Sequence, residues 1–166
     1  ATTIMFPQVN NLSDAEYAVR SVKYPPKGIR GIAGATRANN FGREIDYVST
    51  ADENICVICQ IESVEACKNV KEIASTEGVD LLFIGPGDLS ADMGFIKNRS
   101  AIEVKNMAAQ VLRETKKYNK PCGIMVSNIT EAKEMLKIGF SVIAVTTDLV
   151  LLRNAVDEIG LLAKNN

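Results

Sequence analysis

Five short apolar runs, separated by longer segments of helical period, constrain this chain more than any other feature. They are Thr2–Pro7, Ile55–Ile61, Val79–Ile84, Pro121–Val126 and Ser141–Thr146. Within them apolar residues follow one another instead of alternating with polar ones. Strands of that kind are buried on both faces, as in a parallel sheet. Parallel neighbours need a long crossover, usually a helix, and each run is followed by a segment of that type. The repeating unit is therefore βα, and the fold class is α/β.

The helical segments carry their own start and stop signals. Ser13-Asp14-Ala15-Glu16 reads as a capping box opening a helix that carries Tyr17, Ala18, Val19 and Val22 towards Tyr24, where Pro25-Pro26 stops it. Ser63 caps a helix bearing Ala66, Val70, Ile73 and Ala74. A longer helix covers Ala101 to Tyr118, with Ile102, Val104, Met107, Ala108, Val111 and Leu112 on or near its buried side. Ile129–Ile138 ends at Gly139 as its C-cap, and a leucine-rich helix runs from Leu149 towards Ala163. A closed barrel of eight βα units takes about 250 residues. At about 31 residues per unit, the 166 residues here hold about five. Length alone accommodates a five-stranded doubly wound sheet equally well.

Composition removes several functions. The 166 residues suit one domain spanning 1–166, and a formal net charge of −1 gives no electrostatic basis for binding nucleic acid or an acidic membrane. No apolar stretch approaches the length that spans a bilayer. The chain has no histidine, so no Ser-His-Asp triad and no histidine-ligated zinc site can be built from it alone. Cys56 and Cys59 form a C-x-x-C, but inside a strand-type run, where positions three apart face opposite sides. They read, with Cys67 and Cys122, as buried free thiols in a reducing, cytoplasmic compartment.

In parallel α/β folds function gathers at the C-terminal ends of strands. Those ends hold Gln8, Gln60 and Glu62, Asp88, Ser127 and Asn128, and Thr147 and Asp148. Glu62 and Asp88 fall where apolar runs on consecutive strands break into polar loops. Two hard oxygen ligands so placed can hold Mg²⁺ or Mn²⁺. The competing reading is that Glu62 caps the next helix and Asp88 forms an Asx-turn with Leu89 and Ser90; the residues alone leave both open. Gly85-Pro86-Gly87 offers backbone N–H groups beside Asp88 that suit a carboxylate, or is simply a tight turn. A Schiff-base lysine is disfavoured, since Lys120 precedes its strand and lies at the opposite end.

Three stretches together resemble the HpcH/HpaI-type class II pyruvate aldolases of the phosphoenolpyruvate/pyruvate barrel superfamily. They are Lys23-Tyr24-Pro25-Pro26-Lys27-Gly28-Ile29-Arg30-Gly31, Gln60-Ile61-Glu62, and Ile84 through Gly94 (I-G-P-G-D-L-S-A-D-M-G). The resemblance covers essentially the whole chain. It implies a (βα)8 TIM-barrel type of fold, of which this chain supplies about five βα units, the C-terminal two-thirds. It implies reversible aldol cleavage of a 2-keto-3-deoxy, or 4-hydroxy-2-oxo, acid to pyruvate and an aldehyde through a metal-stabilised enolate. Glu62 and Asp88 would be the ligands of a divalent ion (Mg²⁺ or Mn²⁺, with Co²⁺ a further candidate). Gln60 would be the catalytic neighbour of that ion. Pro86, Gly87 and Asp88 would bind substrate, the last two through their N–H groups on the pyruvate carboxylate. The partners implied are a small keto acid and an aldehyde, and further copies of the chain, as a hexamer whose dimers exchange the leucine-rich terminal helix.

The same resemblance places a catalytic histidine and arginine in βα units that precede this chain. Five units cannot close a barrel, and the first and last strands would present unpaired apolar edges. The expectation is a C-terminal part of a longer polypeptide, or a chain completed by another. Two other functions compete: a citryl- or malyl-thioester lyase of the same superfamily, and a non-catalytic partner subunit that keeps the fold without the activity.

Overall fold

The computed structural model describes residues 1–96 and 98–164, with side chains in the last helix described as far as Leu161. Its elements in chain order are β1 (Thr3–Phe6), α1 (Leu12–Val22), a 3₁₀ turn (Arg37–Gly42), α2 (Tyr47–Thr50), a second 3₁₀ turn (Ala51–Glu53), β2 (Cys56–Ile61), α3 (Val64–Lys68), α4 (Val70–Ser75), β3 (Leu81–Ile84), α5 (Pro86–Asp92), α6 (Ile102–Lys117), β4 (Cys122–Val126), α7 (Ile129–Ile138), β5 (Val142–Val145) and α8 (Asp148–Lys164).

All five apolar runs are strands, paired in parallel in the order β1-β2-β3-β4-β5. A doubly wound sheet reverses its strand order at a switch point; this one never does. Winding in one direction is the pattern of a barrel wall, and the sheet is a curled half-barrel of the TIM type.

The two sheet faces are filled differently. On the outer face Val57, Cys59, Ile61, Leu82, Ile84, Ile124 and Val126 pack against Ala15 and Val19 of α1, Val70 and Ile73 of α4, and Val104, Val111 and Leu112 of α6. Fully burying a side chain such as Ile61, Leu82 or Ile84 contributes about 1.5–3 kcal/mol. The inner face holds a smaller cluster, Ile58, Leu81 and Phe83, with Cys56, Met125 and Ala144 against it. Phe83 pairs in register with Gly123, where an added Cβ would come within 2.5 Å of the Phe83 ring. Glycine there makes room for the aromatic layer.

The outer strands leave apolar side chains open, with Met5 at 40% and Val142 at 39% relative exposure. The terminal helix is more open still: Leu149, Leu151, Leu152, Val156, Ile159 and Leu161 are all exposed. Leu162, another apolar residue of this helix in the sequence, lies outside the described side chains.

Several local expectations need correction. The cap of α1 is Asn11, whose side chain accepts the Asp14 N–H at 3.0 Å; Ser13 lies inside the helix. The helix after Ser63 is broken at Asn69, which ends α3 and begins α4 while its side-chain amide bonds the Asn10 carbonyl at 2.8 Å. Ile102, expected on the buried side of α6, is exposed at the first position of the helix. Gly85-Pro86-Gly87 is no isolated turn: Gly85 is the N-cap of α5, and Pro86 sits at its first position, where a missing N–H costs nothing.

The stretch from Tyr24 to Arg30 folds back onto α1. The N–H groups of Gly28, Ile29 and Arg30 donate to the carbonyls of Tyr24, Arg20 and Lys23 at 3.0, 2.8 and 2.9 Å. Arg30 lies over the Tyr24 ring, 4.5 Å from its centroid, and donates to the Tyr47 hydroxyl at 2.9 Å. This motif fastens the long α1–β2 connection.

Candidate active site

Inner and outer positions alternate along β2, so Cys56, Ile58 and Gln60 share the inner side and Glu62 follows them one step beyond the strand. The β2–β3 ladder pairs Gln60 with Phe83 and Ile61 with Ile84, and continues as the Gly85 N–H donates to the Ile61 carbonyl at 3.1 Å. Gly85 is thus brought beside Glu62. A Cβ on Gly85 would lie 2.7 Å from Glu62 Oε2, 2.8 Å from Gln60 Nε2 and 3.0 Å from Glu62 Cβ. Both side chains cross the bare backbone of this glycine, and the close approach explains why the residue carries no side chain.

Glu62 is 4% exposed and does not cap α3. That role belongs to Ser63, whose hydroxyl accepts the Ala66 N–H. Instead Glu62 Oε1 accepts the N–H of Gln8 at 2.9 Å, across 54 residues of sequence. Asp88 lies in the first turn of α5, not in an Asx-turn, and is near enough for its charge to act on the Glu62 carboxyl. Burial pushes the Glu62 carboxyl above its ordinary value; the Asp88 charge and side chain push the same way, and the Gln8 N–H, with a smaller effect of the Gln8 side-chain amide, pulls against them. Two carboxyls close enough to raise a pKa favour a shared proton or a cation between them.

Among the described residues the ion pairs are Lys117–Glu114 and Arg153–Asp157, and no lysine or arginine is paired with Glu62 or Asp88. Among the described residues no three or more His, Cys, Asp or Glu side chains are grouped so as to hold a metal ion by themselves. A buried carboxylate, an exposed one beside it and no protein cation is a donor set that fits a divalent ion, with positions left for water or substrate. The N–H groups of Gly87 and Asp88 precede the first backbone bond of α5, Leu89 N–H to the Gly85 carbonyl at 3.1 Å, and by helix geometry are free donors.

The remaining strand-end residues serve the helices that follow. Asn128 caps α7 through the Glu131 N–H at 2.9 Å, the Ser127 N–H donates to Glu131 Oε2 at 2.8 Å, and Thr147 Oγ1 accepts from Val150 at the start of α8. A groove of about 630 Å³ between α1 and the end of α4, lined by Arg20, Lys23, Thr76 and Glu77 among others, lies on the helix side and includes none of the strand-end residues. Two parts of the site escaped sequence reasoning. The Gln8 N–H contact depends on a left-handed backbone (φ 55°) that no glycine advertises. The need for Gly85 could be suspected only from its place between Ile84 and Pro86.

Comparison with known proteins bears on the fold and the family. The chain is 41% identical over 159 residues to a 4-hydroxy-2-oxo-heptane-1,7-dioate aldolase of Escherichia coli, covering 95% of this chain and 61% of the relative. It is 39% identical over 156 residues to a 5-keto-4-deoxy-D-glucarate aldolase of Citrobacter koseri, covering 94% and 61%. The crystal structure of an HpcH/HpaI aldolase/citrate lyase family protein from Burkholderia cenocepacia J2315 superposes with a TM-score of 0.94 at 35% identity, covering 99% of this chain and 65% of that one. The chain thus spans about three-fifths of the length of these curated relatives. The sequence model of one family matches residues 1–155, and with it the strand order and the relatives converge: this chain belongs to the HpcH/HpaI aldolase/citrate lyase family.

Proposed function

We propose that the protein carrying this chain is a class II aldolase that reversibly cleaves a 4-hydroxy-2-oxo acid to pyruvate and an aldehyde. The observation that carries the reading is the Glu62 carboxyl, buried over Gly85 and within reach of the Asp88 charge, with no protein cation paired to either among the described residues. Glu62 and Asp88 would hold a divalent ion, Mg²⁺ or Mn²⁺ by the hardness of their oxygens. When bound, such an ion supplies Lewis-acid polarisation of a keto-acid carbonyl.

The chain's own groups divide the remaining work. Gln60 extends its amide over Gly85 beside the Glu62 carboxylate and can donate to an oxygen held there. The N–H groups of Gly87 and Asp88 face the same end of β3 and suit a substrate carboxylate, with the buried ring of Pro86 setting the start of their helix. The curated relatives are named for hydroxy-oxo or keto-deoxy diacids, which supports a substrate with a second carboxylate. With no histidine in the sequence, the proton-transfer base is not a histidine of this chain.

The exposed leucines of α8 support a homo-oligomer in which this helix packs on another copy, and four free cysteines support a cytoplasmic location. The test is direct. Glu62→Gln and Asp88→Asn should each abolish metal-dependent pyruvate release while circular dichroism shows the fold retained. Wild-type turnover by either variant, after chelation and re-addition of Mg²⁺ or Mn²⁺, would overturn the reading.

A further inference from the structure

The β1 strand ends at Phe6, and two residues later the chain takes a conformation that side-chain-bearing residues seldom adopt. Gln8 has φ 55°, in the left-handed region. Its side chain is exposed, so packing does not impose the conformation. The residues around it are fixed. Val9 is 2% exposed, the Asn10 N–H donates to Asp14 Oδ2 at 2.9 Å, and the Asn10 carbonyl accepts from Asn69 at 2.8 Å. Held in this way, the Gln8 N–H points at Glu62 Oε1, 2.9 Å away. The other oxygen, Oε2, lies over Gly85 beside Gln60 Nε2.

We infer that Gln8 is a positioning residue whose left-handed backbone occupies Glu62 Oε1 and so leaves Oε2 as the oxygen presented to a cation shared with Asp88. The inference rests on the reading of Glu62 as a metal ligand. It assigns the effect to the backbone of residue 8, with the side-chain amide secondary. In an ordinary extended conformation the N–H would turn away, and the buried carboxylate would lose the backbone donor that orients it.

Substitutions at residue 8 separate backbone from side chain. Gln8→Gly and Gln8→Asn both accept the left-handed region and should bind Mn²⁺ within about twofold of wild type, read by electron paramagnetic resonance. Gln8→Val resists that region and should bind about tenfold more weakly. In the metal-free protein the residue-8 amide should exchange slowly with deuterium, and quickly in Glu62→Ala. The inference is overturned by tight Mn²⁺ binding in a folded Gln8→Val, by a loss in Gln8→Gly equal to that in Gln8→Val, or by fast amide exchange in the wild type. A wild type that binds no Mn²⁺ would instead overturn the metal reading itself, and the exchange comparison, which needs no metal, then decides whether Gln8 orients Glu62.

Discussion

Replacing Gly85 with alanine is the sharpest single perturbation of this site, because it adds one carbon at the point where both functional side chains cross the backbone. The new Cβ would stand 2.7 Å from Glu62 Oε2, whereas ordinary van der Waals contact begins at 3.4 Å, so the carboxylate must retreat by about 0.7 Å or the β2–β3 ladder must open. Glu62 has little room to retreat, since it is 4% exposed and bonded to the Gln8 N–H. Gly85 itself has φ −97°, which alanine tolerates, so the effect is steric and not a matter of backbone preference. Overpacking of this kind costs about 1–3 kcal/mol of stability, about 2–4 °C in Tm per kcal/mol for a chain of this size. Displacing a reacting group by about 1 Å costs on the order of 100-fold in rate. We expect kcat/KM for metal-dependent pyruvate release to fall by about 10- to 100-fold while the protein stays folded. Gly31→Ala, with nothing within 4 Å of the new carbon, should change neither quantity. Pyruvate release can be followed continuously by coupled reduction, alongside thermal unfolding. A Gly85→Ala protein with wild-type kcat/KM would refute the claim that Glu62 and Gln60 act from where they are seen.

Two further perturbations test other links in the reasoning. Because the Glu62 carboxyl sits above its ordinary value when folded, the folded chain keeps a proton that the unfolded chain has lost, so chelated protein should lose stability as pH rises through that interval and be spared the loss below it. Thermal unfolding in chelator and in Mg²⁺ between about pH 4 and pH 7 should therefore show a gap that widens with pH in the wild type and stays flat in Glu62→Gln; a parallel pair of wild-type curves would refute the assignment. Gly28→Ala should destabilise by about 1–3 kcal/mol or more, since its new carbon would meet the backbone carbonyls of Lys23 and Arg20, which cannot step aside as a side-chain tip can. An unchanged midpoint in urea would show that the fold-back of Gly28 onto α1 is not rigid.

Local signals were read well where the physics is local. Gly139 ends α7 as expected, at φ 105°, because a C-cap there needs only a missing Cβ. Cys56 and Cys59 face opposite sides of β2, the first against the inner cluster and the second in the outer core, as strand pleating requires. The errors lie where a distant partner competes. Asn69 breaks a helix of good period because its side chain is drawn to the Asn10 carbonyl. The α1 cap shifts to Asn11 because Asp14 also accepts from Asn10 and ties the preceding loop to the first turn.

The carboxyl pair divides in the same way. That Glu62 and Asp88 close neighbouring strands is legible in the chain, since runs of consecutive apolar residues end there and parallel strands end at one rim. Hydrophobic runs, caps and glycines act over a few residues, and for that reason the amino-acid order alone determined the α/β class, five βα units and which acidic residues stand at the rim. Tertiary structure alone decided that the sheet winds without reversal, that Glu62 is buried within reach of the Asp88 charge with one oxygen held by Gln8, and that α8 leaves Leu149, Leu151, Leu152 and Leu161 open. Those outcomes depend on groups dozens of residues apart meeting in space, and burial and charge coupling exist only once they have met.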